Sequence, residues 1–163
     1  KQLNGDRFLK DLIAIVKEEG IEPKHLALEI TESILIESVE EISKTLSLIT
    51  EAGFSLHLDD FGKGYSSLTY LRRLPVSHIK MDKAFIDDMF EDENSRKFTI
   101  SIIRICHDLS LKVVAEGVET RDQVHFLLEN GCDSIQGYYF SKPEQGEKIG
   151  VLLDRCFLPK AEV

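Results

Sequence analysis

The 163 residues, 42% hydrophobic and 30% charged, have the composition of one soluble globular domain. Twenty Lys and Arg against 29 Asp and Glu give a formal charge of -9, which disfavours binding of DNA or RNA polymers but not of a small phosphorylated ligand held through metal ions. No apolar run reaches the ~20 residues of a membrane span, and no signal-peptide pattern opens the chain. The three cysteines, Cys106, Cys132 and Cys156, form no C-x-x-C pair and read as buried, reduced thiols of a cytoplasmic protein. The five histidines show no ligand spacing, and His57 reads as a packed side chain. The chain opens on Lys1 rather than Met. It is shorter than the ~250 residues of a typical closed eight-stranded α/β barrel. The expectation is a segment of a longer protein, one domain over residues 1–163, truncated at its N-terminal side.

Phe8, Leu9, Leu12, Ile13 and Val16 define the apolar face of a first helix, closed by Gly20, and Leu26–Thr31 is the first strand. Ser38 with Glu41 fits a capping box that opens a second helix, closed by Gly53 before the strand Phe54–Asp59. A third strand is expected at His78–Asp82, and the acidic stretch from Asp87 to Glu93 reads as a solvated loop. The helix from Ser95 to Leu109 should bury Phe98, Ile102, Ile105 and Leu109. Lys112–Gly117 is the fourth strand. Thr120 with Gln123 caps the next helix, Gly131 ends it, and Ser134–Phe140 is the fifth strand. Strict alternation of strand and helix implies parallel strands with helices packed outside.

Every one of these strands ends in groups foreign to a structural strand: Glu29 with Glu32, Asp59 with Asp60, Lys80 with Asp82, Glu116 with Glu119, and Gln136. Parallel barrel strands bring such ends to one rim, where active sites lie. Taken singly, each has a plain structural reading as a turn, a salt bridge or a helix-start charge. Five strands ending alike point to a site. Carboxylates with an amide oxygen suit hard cations such as Mg²⁺ or Mn²⁺, and two such ions suit phosphodiester cleavage. Acids on successive strands facing a lysine also suit an enolase-type proton abstraction, and spacing leaves both open.

The strings LALEITES, LHLDDFGKGYSSLTYLRRLPVSHIKMDKAFI, VVAEGVET and CDSIQGYYFSKP resemble, in order and separation, the signature blocks of the EAL family of cyclic di-GMP phosphodiesterases. The resemblance implies an α/β fold, a partial (β/α)8 TIM-type barrel with about five C-terminal strand–helix units present. It implies two-metal hydrolysis, with Mg²⁺ or Mn²⁺, of cyclic di-GMP to linear pGpG. It implies Glu29, Asp59, Asp60 and Gln136 at the metals, Lys80 and Glu116 at the attacking water, and Glu32 and Glu119 in support. It further implies a homodimer and fused sensory or signalling domains, with membrane anchoring of the whole protein left open. Lys63 stands where the family has a small or hydroxyl residue. No Glu-Ala-Leu string occurs in the 163 residues, so the polypeptide alone is expected to be impaired. The rival readings are a degenerate cyclic di-GMP-binding module and an interaction domain; retention of Glu29, Asp59, Asp60, Lys80, Glu116 and Gln136 argues against both.

Overall fold

The computed structural model describes residues 6–32, 39–62 and 71–153. Its helices are α1 (Asp6–Glu18), α2 (Val39–Glu51), α3 (Lys83–Asp88), α4 (Glu93–Asp108), α5 (Arg121–Glu129) and α6 (Gly146–Leu153). The strands are β1 (Ala27–Thr31), β2 (Ser55–Phe61), β3 (His78–Met81), β4 (Lys112–Ala115) and β5 (Ser134–Ile135). They form one sheet in the order β1-β2-β3-β4-β5, every pair parallel. A sequential order without reversal is that of a barrel wall, not of a doubly wound sheet with a switch point.

Side-chain alternation assigns the two faces. Leu56, Leu58, Ile79, Met81, Val113 and Ala115 are buried on one face, together with Val16, Leu46, Ile49, Ile102, Ile103 and Leu127 from the helices. The other face carries Glu29 and His57, which are register partners, and Lys80 opposite Val114. The apolar face therefore holds the fold together and leaves the polar face for chemistry.

Several sequence expectations shift. The buried stripe of α4 is Thr99, Ile102, Ile103 and Cys106. Phe98 and Ile105 face outward, with the Phe98 ring 5.9 Å from that of Phe85. The polar Thr99 can join the core because its hydroxyl donates to the carbonyl of Ser95. The Asp87-to-Glu93 stretch is not a plain loop. Asp87 and Asp88 end α3, Met89 is fully buried, and Asp92 caps α4 by accepting from the amides of Asn94 and Ser95. Asp82 is not a strand residue but the N-cap of α3, accepting from Ala84.

The fifth strand is only two residues long. Beyond it the chain turns across the end of β4. The Gln136 amide donates to Ala115, the Val118 amide to Gln136, and the Tyr139 amide to Val118. Gly137 makes that crossing possible, since a Cβ there would lie 2.1 Å from the Val118 carbonyl oxygen.

The Thr120–Gln123 capping box forms as expected, and Gly20, Gly53 and Gly131 all have positive φ. Cys106 and Cys132 are buried and free, and burial pushes each thiol up to about 11. Ser38, Lys63 and Cys156 lie outside the described residues. Among the described residues, no helix is long and apolar enough to cross a membrane.

Candidate active site

The site is organised by Lys80. It sits on the buried strand β3 and its side chain is 8% exposed. Its ammonium lies 2.7 Å from Glu29 on β1, 2.9 Å from Glu116 just past β4, and 3.2 Å from Asp59 on β2. Burial works against its charge, but hydrogen bonds to Glu29, Glu116 and Asp59 outweigh that and hold its pKa well above the ordinary lysine range. A protonated lysine is a fixed positive charge, not a base. The three acids thus favour the charged form over the neutral amine that an enolase-type proton abstraction requires.

Adjacent acids on a regular strand would point to opposite faces. Here β2 breaks its own alternation: Leu58 is opposite Ile79 and Phe61 opposite Met81, so three steps on β2 match two on β3. This is a bulge with one extra residue. Asp60 occupies it with φ 55, a left-handed conformation that Asp tolerates better than most residues. Phe61 thereby regains the core, and two consecutive carboxylates fall in the irregular end of β2, with Asp59 beside Lys80.

Glu32, 4% exposed, accepts a 3.0 Å hydrogen bond from the Gly62 amide, while its own amide donates to the Asp59 carbonyl. It thus ties the end of β1 to the end of β2 and the residue after Asp60. Glu119 stands apart from Lys80 and pairs with Lys83 at 2.8 Å. Gln136 has its main chain fixed between Ala115 and Val118, and its side chain is exposed.

Sequence reasoning passed over two neighbours. His78 stacks on His57, ring centroids 4.2 Å apart. Burial lowers both pKa values; the ring of His78 lowers that of His57 further, and Lys112 that of His78. The signal was available: both residues are register partners on one face of adjacent strands. The other is Lys83, the first residue of α3.

Around Lys80, three carboxylates against one ammonium leave two negative charges in excess. Among the described residues no three acidic, His or Cys side chains are close enough to one another to enclose an ion as they stand; the carboxylates take the ammonium as their partner. The donor set nonetheless fits a divalent cation by its chemistry. Glu29, Asp59 and Glu116 offer oxygen alone, with surplus negative charge.

A family profile described as the EAL domain matches residues 1–143. The chain belongs to the EAL domain family. It is 44% identical over 128 residues to the cyclic di-GMP phosphodiesterase NbdA of Pseudomonas aeruginosa, covering 78% of this chain and 16% of that protein. The EAL domain of Mycobacterium smegmatis DcpA superposes with a TM-score of 0.86 at 36% identity, covering 93% of this chain and 68% of that one. The manganese and cyclic di-GMP complex of Klebsiella pneumoniae BlrP1 superposes with a TM-score of 0.79 at 33% identity, covering 86% of this chain and 36% of that one. The chain spans 16% to 19% of the length of the first curated relatives it matches. The five parallel strands are thus the wall of an EAL barrel of the TIM type.

Proposed function

We propose that this EAL segment carries the catalytic rim of a metal-dependent cyclic di-GMP phosphodiesterase, cutting one phosphodiester to give linear pGpG. The observation that carries the reading is the Lys80 amino group set within 2.7 to 3.2 Å of Glu29, Asp59 and Glu116 from three other strands. Glu29, Asp59, Asp60 and Gln136 would hold Mg²⁺ or Mn²⁺. When bound, such cations supply Lewis acidity at the phosphoryl oxygens. Lys80 presents fixed positive charge to the phosphoryl group as negative charge builds on it. Glu116 accepts a proton from the attacking water. Water adds to phosphorus, the bond to the 3′ oxygen breaks, and that oxygen takes up a proton, leaving a 5′-phosphate and a 3′-hydroxyl. Glu32 holds the main chain after Asp60 in its working shape, with Glu119 acting at a further remove. By the same family resemblance we infer a homodimeric protein with fused sensory or signalling domains, its EAL part on the cytoplasmic side.

The test is chromatography of cyclic di-GMP incubated with the full-length gene product and Mg²⁺ or Mn²⁺. Linear pGpG should accumulate, and Glu116→Gln should stop it. Tight binding without product would favour the degenerate binding module. Absence of both binding and product would overturn the reading.

A further inference from the structure

Glu116 is the one member of the Lys80 cluster that lies beyond the end of its strand, in the turn between β4 and α5. Something must hold that turn. Part of the answer is buried: Gln123 accepts from the amides of Glu119 and Thr120 and donates from its amide nitrogen to the Ile86 carbonyl of α3. The rest comes from Lys83, the first residue of α3. Its ammonium lies 2.8 Å from Glu119, 3.1 Å from Asp87 and 3.4 Å from the Gly117 carbonyl oxygen. Its methylenes lie so close over Gly117 that a Cβ there would meet the Lys83 Cγ at 2.5 Å and Cβ at 2.7 Å. Gly117 has φ +70, a backbone state that little besides glycine holds without outside support.

We propose that Lys83 is a positioning residue for Glu116, fixing the turn Gly117–Val118–Glu119 against α3 through one ion pair, one carbonyl contact and the packing of its stem over Gly117. Lys83 follows Lys80 by three residues, so one short segment sets both the central cation and the carboxylate facing it. The geometry is economical: the Glu116 amide already donates to Met81, and Lys83 restrains the other side of the same residue. An exposed ion pair of this kind adds little to stability. Its effect should appear in geometry, where a displacement near 1 Å costs far more in rate than in folding.

The inference rests on the phosphodiesterase reading for its kinetic arm and has a second arm that does not. In the full-length protein, Lys83→Met keeps the stem over Gly117 and removes the charge. Its kcat should fall about tenfold with KM changed less than about twofold. Lys83→Arg should recover most of kcat. Lys83→Met combined with Glu119→Gln should lose little more than either alone, because both break one contact. Asp87→Asn, which touches only the Lys83 end within α3, should leave kcat unchanged. Hydrogen exchange at the Val118 and Glu119 amides should quicken in Lys83→Met and not in Lys83→Arg. Unchanged exchange would overturn the clamp. Faster exchange with unchanged kcat would overturn the positioning role. A wild-type protein without phosphodiesterase activity would overturn the reading of the site, and the exchange arm would then decide the clamp by itself.

Discussion

Replacing Lys80 with methionine preserves most of the side-chain volume and removes the one cation among three carboxylates. Three charge-assisted contacts of 2.7, 2.9 and 3.2 Å are lost, each typically worth ~1.5–3 kcal/mol. The ammonium also no longer has to be stripped of water, which returns several kcal/mol. Removing one partner of a buried ion pair usually costs ~3–5 kcal/mol net. Glu29, Asp59 and Glu116 keep 48%, 24% and 21% of their side chains exposed and can rehydrate, so the expected loss is nearer ~2–3 kcal/mol. At this chain size that is ~5–10 °C in Tm. The assay is thermal melting with chelator present, so that no cation substitutes for the ammonium. Adding Glu29→Gln to Lys80→Met should recover part of the loss by removing one of the three opposed charges. Lys80 has its folded pKa raised above the ordinary 10.5. Its stabilising contribution is therefore fully present below that value and is lost only as pH rises through the folded value. The gap between wild type and variant should be flat from about pH 6 to 9. A variant that melts at or above wild type, or a gap that closes between those limits, would refute the cluster as described.

Asp59→Asn should lower turnover by at least ~100-fold with little change in Tm, because the amide keeps the shape and loses the charge; loss of activity that tracks unfolding would point to a structural turn instead. Gly137→Ala should destabilise by at least ~3 kcal/mol, since its Cβ would collide with Val118 main-chain atoms that cannot swing away; a Tm close to wild type would count against the crossing over β4. Native Cys106 and Cys132 should resist iodoacetamide at pH 8, being buried with thiols pushed up to about 11, as peptide mass analysis after labelling would show. The 163-residue polypeptide made alone should turn over cyclic di-GMP far more slowly than the full-length protein, as parallel assays with Mn²⁺ would report.

The strand–helix alternation and the polar strand ends were legible because period-2 and period-3.6 patterns record burial directly. Gln123 and Thr120 announced their cap for the same local reason. The features that stayed hidden were set by tertiary contacts. The α4 stripe runs through Thr99 rather than Phe98, because an internal hydrogen bond makes a threonine buriable and Phe98 finds Phe85 outside the core. The fifth strand ends after two residues because the main chain of Val118 captures Gln136 and Tyr139. Residue types predicted the carboxylates around Lys80, but not that Glu119 would turn from them to Lys83.

The bulge in β2 has a consequence for how the fold relates to its chemistry. Deleting Asp60 on paper leaves Leu56, Leu58 and Phe61 in unbroken alternation, with His57 and Asp59 between them: an ordinary strand with an identical core face. A single inserted residue thus shifts the phase of the strand at its last turn and gives a barrel stave two consecutive carboxylates at its end. No point substitution can do this, since substitution alters what a position carries but not which way it faces. In this sheet, chemistry and architecture are separable by the length of the chain, one residue at a time.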